Sequence, residues 1–136
     1  MEIFDREDVS VNFVDENDVV LGYSLRCDCC EDAGWYIVDD EPTTVDLDLR
    51  MDASGYEQPP QDIPELAGWV FDRNWFKQII EYCSEQPPLD CGGAVCFRIV
   101  LGDQQKFVVL FNSQNGYYSH GFEFKAANEV LQSDSI

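Results

Sequence analysis

The stretch "NWFKQIIEYC", residues 74–83, decides the fold class. Trp75, Phe76, Ile79, Ile80 and Cys83 stand at i, i+1, i+4, i+5 and i+8, the apolar stripe of an amphipathic helix, and Pro87-Pro88 stop it. The spacing predicts one principal helix over about residues 74–85. The segments around it read as strands, so the expected class is α+β: antiparallel hairpins and a meander of about six to eight strands, with that helix against them.

Working outward, "VSVNFV" (9–14) alternates apolar and polar residues, "DEND" interrupts it, and "VVLGYSLRC" (19–27) resumes with Val19, Leu21, Tyr23, Leu25 and Cys27 on one face. This predicts a β-hairpin. A strand "WYIV" (35–38) follows, then "TTVDLDLRMD" (43–52), whose Val45, Leu47, Leu49 and Met51 alternate with an acidic rail. Gly, Pro and polar residues mark 53–64 as a surface loop, and "WVFD" (69–72) suits a short strand. On the C-terminal side, "AVCFRIVL", "GDQQ" and "KFVVLFNS" read as strand, turn and strand. Asn115-Gly116 signals a type I′ hairpin into "YYSHGFEF", and residues 126–132 suit a short closing helix.

The chain has 136 residues, 45% hydrophobic and 13% aromatic, which suits a single globular domain over 1–136 rather than a disordered acidic tail. The opening "MEIFDREDVS" carries no secretory signal pattern and no segment approaches a membrane span, so the expectation is a cytoplasmic protein. In that compartment the six cysteines (27, 29, 30, 83, 91, 96) are thiols or metal ligands rather than a disulfide framework.

Charge is the extreme feature. Twenty-seven acids face eight Lys and Arg, net −19, with 19 of the acids in residues 1–66. Arg73, Lys77, Arg98, Lys106 and Lys125 are scattered and form no basic footprint, so phosphate electrostatics argue against direct nucleic-acid binding.

Candidate chemistry is sparse. Cys27 and Cys30 form C-x-x-C, but Asp28, Glu31 and Asp32 would raise rather than depress a thiol pKa, against redox catalysis. Cys27, Cys29 and Cys30 with the lone histidine, His120, could supply a zinc set, yet paired knuckles are missing. His120 also falls on the Tyr118, Phe122, Phe124 face of its strand, where a hydrogen-bonded core histidine is the plainer reading. An EF-hand-like spacing from Asp46 to Glu57 fails because Arg50 and Met51 occupy a ligand position and the glycine position. No nucleophile elbow, phosphate loop or dinucleotide fingerprint occurs. The chain reads as a non-enzyme with no required cofactor, and an unrecognised hydrolase is a third, unsupported option.

Cys29-Cys30-Glu31 after a hairpin, together with Asn115-Gly116-Tyr117-Tyr118-Ser119 late in a meander, resembles a family of small uncharacterised phage and bacterial proteins with a "CCE" segment and a terminal "NGYYS" strand. The likeness covers residues 20–38 and 94–124. It implies a compact α+β domain and a phage or mobile-element setting, and assigns no activity.

The functional expectation is a small acidic interaction protein that mimics nucleic acid. Alternate residues on a strand lie about 6.6–6.8 Å apart, so Asp46, Asp48 and Asp52 would form a fixed row of carboxylates. Asp39, Asp40 and Glu41 precede that row and Glu57 follows it. Tyr36, Tyr56, Trp69 and Trp75 could add aromatic contacts. The expected partner is a basic nucleic-acid-binding protein, such as a host defence nuclease or CRISPR effector, making the chain an anti-CRISPR or anti-restriction inhibitor. The alternative is a zinc-binding or structural housekeeping domain whose acidity serves only solubility.

Overall fold

The computed structural model describes residues 1–6, 9–26, 32–42, 65–83, 91–114, 119–127 and 129–136. These residues form nine strands and no helix: β1 (Glu2–Arg6), β2 (Ser10–Val14), β3 (Val19–Ser24), β4 (Asp32–Val38), β5 (Val70–Cys83), β6 (Cys91–Leu101), β7 (Gln104–Gln114), β8 (Gly121–Ala126) and β9 (Glu129–Ser135). They make two antiparallel sheets, one ordered β1-β2-β3-β8-β9 and the other β4-β7-β6-β5. The fold is therefore all-β, and the expected α+β class is corrected.

The correction rests on β5. Residues 74–83 lie in a strand that pairs antiparallel with β6, with Phe76 opposite Phe97, Lys77 opposite Cys96 and Ile79 opposite Ala94. Trp75 and Phe76, adjacent in sequence, serve two opposite faces rather than one helical stripe. Phe76 turns into the core between the sheets, where its ring lies 5.4 Å from that of Phe97 and 6.1 Å from that of Phe122. Trp75 turns the other way, onto Phe107 at 5.2 Å. A strand covered on both faces is apolar at consecutive positions, and so yields the same i, i+1 doublet as a helix.

β5 is also irregular. Between Phe71 and Phe76 it takes five residue steps while β6 takes two, from Ile99 to Phe97. An odd excess of three inverts the alternation, so odd-numbered Phe71 and even-numbered Phe76 both reach the main core. A second irregularity falls between Ile79 and Tyr82.

Two other expectations are overturned by pairing. Residues 129–135 form β9 along β8 instead of a helix; a turn with Ala127 at φ 54° sends the chain back, and Leu131 packs against the core. The expected β7–β8 hairpin is not formed, because β7 is flanked by β4 and β6 while β8 lies in the other sheet between β3 and β9. Asn115 and Gly116 themselves lie outside the described residues. The β2–β3 and β6–β7 hairpins are as expected, and β1 pairs with β2 although its sequence raised no expectation of a strand.

The main core lies between the sheets. Val11, Phe13, Leu21 and Phe124 from one sheet meet Trp35, Phe97, Ile99 and Leu110 from the other, all at most 1% exposed. Contacts cross directly: Phe13 meets Trp35 edge-on at 5.1 Å, and Phe97 lies 4.8 Å from Phe124. The opposite face of the four-stranded sheet is buried as well, around Tyr36, Ala94, Cys96, Val109 and Phe111. Sequence patterning accounts for this, since "AVCFRIVL" and "KFVVLF" are continuous apolar runs rather than alternating ones.

Candidate functional site

Where β4 ends, Asp39, Asp40 and Glu41 emerge in sequence, all exposed. Two lysines hold them. Lys106 of β7 bonds Asp39, and Lys77 of β5 lies 3.8 Å from Glu41 while donating to the Pro42 carbonyl at 2.9 Å. Lys106 Nζ also sits 5.7 Å from the Trp69 ring centroid. Residues 39–42 are thus fastened to the four-stranded sheet, with Asp40 between the two clamped acids. Exposed pairs of this kind contribute little stability, about 0–1 kcal/mol each, so their consequence is positional.

Among the described residues, Arg73 also pairs with Glu129, Arg98 with Asp72 and Lys125 with Glu123. The clamping lysines were not singled out from sequence. Lys77 fell inside the supposed helix, and nothing in spacing links position 77 to 41 or 106 to 39.

Asp46, Asp48, Asp52 and Glu57 lie outside the described residues, as do Cys27, Cys29, Cys30 and Tyr56. Of the aromatic residues considered for partner contact, Tyr36 and Trp69 are buried, 6% and 4% exposed, and Trp75 is half-buried, packed against the second core.

His120 is buried at 3% exposure at the head of β8. Its backbone exchanges hydrogen bonds with Ile136, N–H to carbonyl at 2.7 Å one way and 2.9 Å the other. Its Nδ1 lies 2.7 Å from the Ser24 carbonyl, which can only accept, so Nδ1 is the donor in this contact. The Asn112 amide donates to the same Ile136 oxygen at 2.7 Å. His120 is thus buried and hydrogen-bonded. Among the described residues no group of three His, Cys, Asp or Glu is placed to hold a metal ion.

Cys96 is a free cysteine and is fully buried. Burial pushes its thiol up to about 12, with Lys77 pulling it down and Glu41 pushing it up. At pH 8 roughly one molecule in 10⁴ would carry the thiolate, the form that reacts. We expect iodoacetamide at pH 8 to leave Cys96 unmodified in the folded protein and to modify it fully in urea. Peptide mass mapping reads this directly, and native-state modification at the rate of an exposed thiol would contradict the placement of Cys96.

No family model, no curated protein and no solved structure matches the chain. No helix among the described residues is long and apolar enough to cross a membrane.

Proposed function

We propose that the protein is a non-enzymatic acidic interaction domain that presents carboxylates to a basic nucleic-acid-binding protein in place of phosphates. The observation that carries this reading is a charge excess on a firmly packed scaffold. The chain carries a net charge of −19 around a core whose large side chains are almost completely shielded, and among the described residues Arg73, Lys77, Arg98, Lys106 and Lys125 are each already paired with an acid. A packed double sheet holds exposed side chains at low ordering cost, and a strong negative field accelerates encounter with a cationic groove. The Lys77 and Lys106 clamps support a fixed position for Asp39–Glu41 and at the same time lower its local charge, so Asp40 and the 46–57 acids would carry most of the recognition.

Host defence nucleases and CRISPR effectors are the partner class this reading names. The experiment is a DNA-cleavage assay over a panel of such enzymes with the protein added at increasing concentration. Inhibition should be relieved by salt and weakened at least about tenfold by the variant Asp40→Asn/Asp46→Asn/Asp48→Asn/Asp52→Asn, the scale of a few lost charge contacts. Inhibition untouched by that variant, or no inhibition across the panel at low salt, would remove the proposal.

A further inference from the structure

The pairing of β5 with β6 joins two cysteines that sequence spacing does not connect. Cys83 is the last residue of β5 and Cys91 the first of β6, and the antiparallel register sets them directly opposite each other. Opposite residues of such a pair have Cα atoms about 5.5 Å apart where they exchange hydrogen bonds and about 4.5 Å apart where they do not. A disulfide accepts Cα separations of about 4.4–6.8 Å, so both kinds of pair lie within its reach. Cys96, the other cysteine of these two strands, lies opposite Lys77, about 16 Å further along β6.

The place of this pair in the ladder gives a bond there a purpose. The β5–β6 register breaks between Ile79 and Tyr82 and then resumes for Tyr82 with Gly92 and Cys83 with Cys91, where β5 ends. In the first of these pairs glycine brings no side chain to a cross-strand contact, the unit that stabilises a sheet. β6, by contrast, is in continuous register with β7 on its other side, from Cys91 opposite Gln114 to Leu101 opposite Gln104. A covalent bond between Cys83 and Cys91 would fasten the end of an edge strand, beyond its last irregularity, to an inner strand of the four-stranded sheet.

We infer that Cys83 and Cys91 are a cross-strand thiol pair that closes to a disulfide when it meets a low-molecular-weight disulfide and reopens with a thiol reductant. One thiolate attacks a sulfur of the oxidant, oxidised glutathione for instance, forming a mixed disulfide and displacing one glutathione thiol. The second thiolate attacks the protein sulfur of that mixed disulfide, displaces the other glutathione thiol and leaves the Sγ–Sγ bond. Two electrons pass from the protein thiols to the glutathione disulfide, and the two protons end on the two reduced glutathiones. The pair is thus a reversible modification site that staples β5 to β6. It is independent of the acidic-partner reading under Proposed function, and the two fail separately.

The test takes the full chain, fully reduced and then equilibrated with oxidised and reduced glutathione, once in native buffer and once in urea. Remaining thiols are trapped with N-ethylmaleimide in acidic urea, and cleavage after Glu85 separates Cys83 from Cys91 for mass mapping. The native sample should give one dominant cross-link, Cys83 to Cys91, with Cys96 carrying the trapping group, and dithiothreitol should remove it. A bond that stabilises the fold is stabilised by the fold in turn, so glutathione should reduce it at least about tenfold less favourably in the native protein than in urea. Closing this short loop should also raise the melting temperature by about 5–10 °C. Cys83→Ser and Cys91→Ser should each abolish the cross-link and the melting shift, whereas Cys27→Ser/Cys29→Ser/Cys30→Ser should leave both in place. The wild-type map decides the question even where a serine variant fails to fold. A dominant cross-link to any other cysteine, mixed glutathione disulfides without the Cys83–Cys91 bond, or a bond formed as readily in urea as in the native protein overturns the inference.

Discussion

Asp15→Ala is expected to lower the unfolding free energy by about 4 kcal/mol, a large share of the 5–15 kcal/mol typical of a domain. Asp15 is a carboxylate at 5% exposure with three backbone donors on it. Oδ1 accepts from Asn17 N at 2.8 Å and Val19 N at 2.9 Å, and Oδ2 accepts from Phe71 N at 2.8 Å. The first two close the β2–β3 turn, in which the Asp15 carbonyl also accepts from Asp18 N at 3.3 Å and Asp18 takes φ 60°. An acid at the first position of such a turn is locally favoured, as is Asp in the left-handed conformation. The third bond is not local: it ties the tip of a hairpin in one sheet to β5, an edge strand of the other. Alanine leaves the Val19 and Phe71 N–H groups buried without this acceptor, and each such loss costs about 1–3 kcal/mol. Asp15→Asn keeps one oxygen but turns an amide NH₂ toward a donor, so an intermediate loss of about 2–3 kcal/mol is expected. Urea unfolding followed by tryptophan fluorescence measures both, and a loss under about 1 kcal/mol for Asp15→Ala would refute the cross-sheet role.

That role also marks the limit of what the sequence could disclose. "DEND" was legible as a turn because turn chemistry is local, whereas the bond from Asp15 to Phe71 spans 56 positions and leaves no trace in spacing. The β2 and β3 alternation was legible for the same reason: Val11, Phe13, Leu21 and Tyr23 face one core, so period two survives. It failed at β5, where cover on both faces and an odd bulge destroy period two and leave a helix-like stripe. Composition held the better clue, since Trp75, Phe76, Ile79, Ile80 and Tyr82 are the aromatic and β-branched types that strands favour. At 126–132 the helix-forming Ala, Glu, Leu and Gln gave way to an open edge beside β8, propensity being weaker than pairing. Asn115-Gly116 misled because a turn signal names no partner, and both sides of β7 were already occupied. Of the candidate site, Asp39–Glu41 was legible as charge but its lysine clamps were not.

Phe97→Ala should destabilise the protein by about 4 kcal/mol or more, and it tests the corrected fold as well as the core. Phe97 is fully buried on β6 and its ring meets three others: Phe76 at 5.4 Å, Phe122 at 6.0 Å and Phe124 at 4.8 Å. Phe71 joins the same group through Phe124 at 5.1 Å. Rings from β5 and β6 thus interlock with rings from β8 of the facing sheet. Removing a buried Phe costs about 3–5 kcal/mol in transfer and cavity terms, and aromatic pairs of this geometry add about 0.5–1.5 kcal/mol. Phe97→Leu, which keeps most of the volume, should cost less than half as much. The sharper measurement is a double-mutant cycle with Phe76→Leu, because Phe76 and Phe97 are register partners on neighbouring strands. Residues in direct contact show interaction energies of about 0.5–3 kcal/mol, while separated ones add within about 0.5 kcal/mol. A helix over 74–85 would not impose that pairing. Strict additivity of Phe76→Leu and Phe97→Leu would therefore unseat β5 as a strand, and coupling above about 0.5 kcal/mol would fix it beside β6.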